Sequence, residues 1–181
     1  RSAFNDLIVD SDGVIRRDLV HVSGQDVGTV SFPLRLIEQS GRVPGLLEQL
    51  NNPEKAETLG PWLHSNSGGY RQLDAAGYQR LLPFEKPGSF QSLSLSDLAK
   101  SGSSLDKEQL KNQILLIGST APSLKDLFEI PQSRFHHGDR QLRISGVEVH
   151  ALRTAALLNG LDGASWKLRT PAPGINFSVE L

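Results

Sequence analysis

The run Lys111-Asn112-Gln113-Ile114-Leu115-Leu116-Ile117-Gly118-Ser119-Thr120-Ala121-Pro122 constrains the fold more than any other stretch. Four consecutive apolar residues that stop in Gly-Ser-Thr read as a buried strand, Ile114–Ile117, ending in a small-residue turn. Further on, Gly146-Val147-Glu148-Val149-His150-Ala151 opens an amphipathic helix, predicted over Val147–Asn159. Val149, Leu152, Ala156 and Leu157 share one face of it, and Gly160 is its expected stop. A buried strand and an amphipathic helix together predict an α/β domain with a mixed β-sheet flanked by helices. In such folds the carboxyl end of a strand faces a crevice where ligands bind.

A length of 181 residues suits one domain with a substantial core. With 38% apolar and 22% charged residues the composition is that of a globular chain, not a disordered one. The 19 basic and 20 acidic residues leave a net charge of -1. There is no basic excess, so nucleic acid is not an expected partner. No apolar run approaches the ~20 residues of a membrane helix, and no signal-peptide pattern opens the chain. Cysteine is absent, which excludes disulfides, thiolate chemistry and cysteine metal sites and leaves the redox compartment open. Methionine is absent even at position 1, which predicts a processed piece of a longer chain.

The first third reads as β structure followed by a helix. Leu7-Ile8-Val9 and Val14 to Val22 are predicted to form a hairpin around the turn Asp10-Ser11-Asp12-Gly13. Ser31 is a candidate N-cap for a helix to Ser40, with Pro33 in its first turn and Gly41 at its stop. Short helices are expected around Leu46–Leu50 and Glu54–Leu59. Strand-like residues return at Gln79–Phe84, followed by a loop at Glu85–Phe90. Ser94 with Asp97 three residues on forms a variant capping box for a helix to about Ser101. Leu105–Asn112 reads as another short helix or turn. Ala121–Gly138 reads as irregular, and the chain after Gly163 as a peripheral tail.

Several residues are candidates for chemistry, each with a plainer alternative. Leu7-Ile8-Val9-Asp10-Ser11-Asp12-Gly13-Val14-Ile15 resembles the first motif of haloacid-dehalogenase-like phosphatases. In that reading Asp10 is the nucleophile, Asp12 the acid/base, and both help to hold Mg²⁺. Ser119 or Thr120 would bind phosphate. The later lysine and acidic pair are poorly met: Lys125 follows the hydroxyls too closely, and Asp139 stands alone. The plainer reading makes Asp10 and Asp12 turn residues that bond local N–H groups. Gly118, Ser119 and Thr120 either present N–H and hydroxyl groups to an anion or satisfy their own turn. His150 reads as a hydrogen-bonded, half-buried histidine, and two positions from Glu148 it does not face it. His136 and His137 read as a solvated loop. Arg16 and Arg17 project to opposite faces of a strand. One is expected in solvent, and the other pairs with Asp126 or Asp12 or binds an anionic ligand. No cofactor is expected.

Four segments recur in one order: Val9 to Arg17; Ser31-Phe32-Pro33-Leu34; Leu82-Pro83-Phe84-Glu85-Lys86-Pro87-Gly88-Ser89-Phe90 leading into Ser94-Leu95-Ser96-Asp97-Leu98; and Leu110 to Pro122 with Lys125-Asp126-Leu127 and Gly146–Gly160. This set resembles the second class of CHASE domains, extracellular sensory modules associated with cyclases and histidine kinases. The resemblance implies an extracytoplasmic, non-catalytic sensor. Its partners would be an unidentified small-molecule ligand and a second copy of itself within a receptor. Membrane helices outside this sequence would tether it, with a nucleotide cyclase, diguanylate cyclase, histidine kinase or Ser/Thr kinase as output. It also implies that a full domain carries a further α/β stretch ahead of the Asp10 turn. Residues 1–163 would then be the C-terminal portion of the sensor and 164–181 a tail leading toward the membrane. The expected sensing site is the crevice beside Gly118, Ser119 and Thr120, with Asp126, His150 and an arginine from Arg16 and Arg17. The alternative functions are the phosphatase and a dimerisation or protein-docking module that binds no small molecule.

Overall fold

The computed structural model describes residues 2–22, 29–50, 59–84, 89–100, 110–134 and 143–161. The chain opens on the expected hairpin, β1 (Ile8–Val9) against β2 (Ile15–His21). The turn needs one residue at positive φ, and Gly13 supplies it at 85°. An L side chain there would cost roughly 1–2 kcal/mol. The Gly13 N–H donates to the Asp10 carbonyl at 2.9 Å, and the Asp10 N–H to the Val14 carbonyl at 3.0 Å. On its other edge β2 pairs antiparallel with β3 (Tyr78–Leu81), with Asp18 opposite Arg80. A second sheet pairs β4 (Leu127–Glu129) with β5 (Arg143–Ser145), again antiparallel. The parallel contacts are isolated bridges, Phe4 to Ser31 and Val14 to Glu129, and the latter joins the two sheets.

The caps read from the sequence set the helices. The Ser31 Oγ accepts from the Leu34 N–H at 3.4 Å and opens α1 (Phe32–Ser40). Gly41 closes it at φ 68°. After α2 (Leu46–Leu50), the Ser94 Oγ accepts from the Asp97 N–H at 3.3 Å and starts α3 (Leu95–Lys100). The long helix is α4 (Gly146–Leu161). It joins two apolar clusters. Leu157 packs with Val20, Val30, Leu34, Ile37, Leu46 and Leu59 between β2, α1 and α2. Val149 and Leu152 pack with Ile15, Ile130 and Ile144 beside the second sheet. Each such side chain, fully buried, stabilises the fold by about 1.5–3 kcal/mol. No helix among the described residues is long and apolar enough to cross a membrane.

Three expectations are corrected. Ile114–Ile117 forms no regular element and pairs with no strand among the described residues. Leu115 and Ile117 are 64% and 91% exposed, so this is not a buried strand. An apolar run specifies extended character, but burial needs cover on both faces, and here only Ile114 and Leu116 are half-buried. The segment is held at its start by the Arg42 guanidinium, which donates to the Asn112 carbonyl. Second, the stretch expected to be irregular from Ala121 contains β4 between two 3₁₀ turns, Pro122–Leu124 and Pro131–Arg134. A strand of three residues is too short for alternation to reveal. Third, Gly160 does not stop α4. The helix continues to Leu161 with Gly160 buried in it, because packing of the last turn outweighs the ~1 kcal/mol propensity cost of glycine. The expected features at 85–88, 101–109 and 135–142, His136, His137 and Asp139 included, lie outside the described residues, as do most of Glu54–Leu59 and the tail after Leu161.

Candidate functional site

Two side-chain clusters form around residues singled out in the sequence. The first belongs to the hairpin. Asp10 accepts from Arg17 Nε at 2.7 Å on one oxygen, and from Arg16 Nη1 and the Tyr70 hydroxyl, each at 3.0 Å, on the other. Asp12 takes Arg16 through both terminal guanidinium nitrogens, Nη1 and Nη2, at 2.8 and 2.7 Å. Arg17 also donates to Gln79 Oε1 at 2.7 Å and lies over the Tyr70 ring at 5.4 Å. The hydrogen bond to Asp12 is the main cause that raises the Arg16 pKa, with Asp10 adding to it. Burial and then the Asp10 charge push the Tyr70 phenol up to about 12. Asp10 therefore accepts three side-chain hydrogen bonds, one on Oδ1 and two on Oδ2. Asp10, Asp12, Arg16 and Arg17 brace the turn and tie it to β3. Of the two pairings expected for an arginine, Arg16 takes Asp12, not Asp126.

The second cluster sits at the start of α4. The Gly146 N–H donates to the Asp126 carbonyl at 3.1 Å. The Asp126 carboxylate lies over the same glycine: a Cβ built there would stand 2.5 Å from Oδ2 and 2.6 Å from Oδ1. Only a residue without a side chain lets the carboxylate come so close to the helix start, where negative charge is favoured. Gly118 makes the matching approach from the end of the Ile114–Ile117 segment. A Cβ there would meet the Val147 Cβ at 2.6 Å. Between these contacts the Ser119 Oγ accepts from the Ala121 N–H at 3.2 Å, the local turn role. Thr120 is exposed. Lys125 is held at φ 56° with its N–H on the Pro122 carbonyl at 3.1 Å, and this directs the chain into Asp126. A non-glycine residue in that region stores roughly 1–3 kcal/mol of strain, which tends to gather at binding sites. Gly118, Asp126 and His150 thus converge on the first turns of α4, with Ser119 and Thr120 on the intervening loop. Arg16 and Arg17 belong to the hairpin cluster instead.

Beneath this loop lies a polar cluster that the sequence did not disclose. Arg153 is 1% exposed. It donates from Nε to Asp18 Oδ1 at 2.6 Å, from Nη2 to the Leu19 carbonyl at 3.0 Å, and from Nη1 to the Asp6 carbonyl at 3.4 Å. Its Nη1 also lies 3.3 Å from His150 Nδ1. A guanidinium has only donors, so Nδ1 is the acceptor and the imidazole proton sits on Nε2. Burial, then the positive charge of Arg153, lowers the His150 pKa to about 4 against the pull of Asp126 and Asp18. The neutral ring stands edge-on to Phe32 of α1 at 5.4 Å. Arg80 approaches the same carboxylate, with Nε 3.5 Å from Asp18 Oδ2. The clue in the sequence is positional: Arg153 lies within the helix face marked by Val149, Leu152 and Ala156, where a charge requires a buried partner.

The family model of the CHASE2 domain matches residues 1–179. The chain belongs to the CHASE2 family. No curated protein and no solved structure matches it. CHASE2 domains are extracytoplasmic sensory modules of signalling receptors and carry no catalysis of their own. The aspartate turn of this CHASE2 domain, bonded to two arginines and a tyrosine, fits that non-catalytic role.

Proposed function

We propose that this CHASE2 domain senses a small molecule at the start of α4 and relays its binding to the β1-β2-β3 sheet. The ligand site is built from Gly118, Ser119, Thr120, Asp126 and His150. One observation carries the reading: His150 and Arg153 form a buried connection from the second turn of α4, next to the Gly146 that Asp126 touches, to Asp18 and the Leu19 carbonyl in β2. A ligand that displaces the Asp126 carboxylate, or bonds His150, alters a contact one side chain away from the central strand. Lys125 at positive φ and the close approaches at Gly118 and Gly146 tie the position of this loop to the start of α4. A ligand shifts such an element only through unequal affinity for its two states. In the receptor, membrane helices outside these residues would tether the domain, a second copy would pair with it, and a cyclase or kinase would serve as output.

The test is a thermal-shift screen of a panel of small carboxylates, amines and sugars against the domain and its Thr120→Val and Asp126→Asn variants. The expected result is a compound that stabilises the parent and loses its effect in both variants, whose own unfolding temperatures stay within about 2 °C of the parent, as exposed substitutions allow. A stabilising compound whose effect survives both substitutions would move the site elsewhere.

A further inference from the structure

The buried cluster holds more positive than negative charge. Among the described residues, Asp18 is the one carboxylate in an ion pair with either Arg153 or Arg80. Arg153 is satisfied at every nitrogen by Asp18, two carbonyls and His150. Arg80 is not. It is 5% exposed. Its Nη1 donates to the Leu59 carbonyl at 3.2 Å, while Nε and Nη2 are buried without a hydrogen-bond acceptor among the described residues. Asp18 does not meet this demand, since its Oδ2 stands 3.5 Å from Nε and is committed to no hydrogen bond. His150 contributes no charge near neutral pH, and the Asp6 and Leu19 groups that face the cluster are carbonyls. Burial lowers the Arg80 pKa against the opposing pull of Asp18, and the neighbouring Arg153 adds to the lowering. A guanidinium does not release its proton in the accessible pH range. Among the described residues, no further group meets this charge.

We propose that Arg80 holds a compact monoanion on Nη2, with Nε shared between that anion and Asp18. Nε and Nη2 form the edge of a guanidinium whose two N–H bonds run parallel, the fork that receives a carboxylate or a halide. One such anion brings the two arginines and Asp18 to neutrality. The same chemistry accepts chloride or the carboxylate of a small molecule. This site is separate from the loop at Asp126, so its test and the preceding one fail independently.

The experiment is thermal unfolding of the domain at pH 7 in sodium chloride, sodium formate and sodium methanesulfonate at equal ionic strength. The bulkier tetrahedral head of the last makes it the reference. At ten times the dissociation constant, linkage predicts that chloride or formate raises the unfolding temperature by roughly 3–6 °C. A response to both identifies a general monoanion site, to formate alone a carboxylate site, and to chloride alone an inorganic one. Arg80→Met leaves Asp18 matched to Arg153 and should abolish the dependence. Equal unfolding temperatures in the three salts overturn the proposal, as does an undiminished response in a folded Arg80→Met. Should that variant not fold, chloride-35 line broadening by the parent protein decides: broadening reversed by formate upholds the site, and absence of broadening, with no formate stabilisation, refutes it.

Discussion

Replacing Asp18 by asparagine keeps the shape of the side chain and removes its charge. In the folded protein this leaves Arg153, 1% exposed, and Arg80, 5% exposed, facing a neutral amide. The amide oxygen can still accept from Arg153 Nε, now 2.6 Å from Asp18 Oδ1, so packing and one hydrogen bond survive. What is lost is the sole carboxylate described against two guanidiniums. Removing one partner of a buried ion pair costs about 3–5 kcal/mol. For a domain of this size 1 kcal/mol shifts the unfolding temperature by roughly 2–4 °C, so Asp18→Asn should lower it by roughly 6–20 °C. Arg153→Met should cost less, about 2–3 kcal/mol, because Asp18 retains Arg80 while the Asp6 and Leu19 carbonyls lose a donor. Arg80→Met should fall within about 1 kcal/mol of the parent in a bulky-anion buffer, since it removes the charge in excess and leaves a matched pair. Urea unfolding followed by circular dichroism at pH 7 gives the three midpoints, with unchanged slopes confirming that stability alone has moved. If Asp18→Asn costs less than 1 kcal/mol, or Arg80→Met costs as much as Asp18→Asn, the charge count is wrong.

Other substitutions test the remaining contacts. Gly118→Ala drives a methyl into the Val147 side chain at 2.6 Å. It should cost about 1–3 kcal/mol and speed amide exchange at 118–126, and unchanged exchange would show that the loop does not rest on α4 through that contact. Lowering the pH below the ordinary histidine value of 6.5 should destabilise the domain, because the unfolded chain takes up a proton at His150 that the folded one resists until about pH 4. This contribution is full above pH 6.5 and lost as pH falls toward 4, about 1–2 kcal/mol after discounting for solvent screening. Urea midpoints between pH 7 and 4.5 should fall less steeply in His150→Gln, and parallel slopes would exclude the histidine. Ser31→Ala removes the acceptor for the Leu34 N–H and should cost ~1 kcal/mol, read as a drop of a few degrees in unfolding temperature.

The extended run at Ile114–Ile117 shows where reading the sequence reaches its limit. Four apolar side chains in a row favour a strand, yet these pair with none among the described residues, and Leu115 and Ile117 face outward, 64% and 91% exposed. Whether such a run is buried depends on what lies beside it, and that is a property of distant segments. The short strand β4 escaped notice for the same reason, since three residues carry no period and β4 exists through its pairing with Arg143–Ser145. Of the expected site, Gly118, Asp126 and His150 meet at one helix end, while Arg16 and Arg17 turn to the hairpin aspartates.

Local chemistry alone determined the Asp10–Gly13 turn, the Ser31 and Ser94 caps, the Gly41 stop and the apolar face of α4. Each rests on dihedral preferences or on hydrogen bonds within four residues, and so is written in consecutive letters. The tertiary structure alone decided that Arg153, 135 positions from Asp18 in sequence, would be buried against it. It also decided that Gly118 and Gly146 would be the points where a loop and a helix touch. Burial sets the energy of a charge, and close approach sets the need for glycine. Both arise only when segments far apart in the chain are brought together.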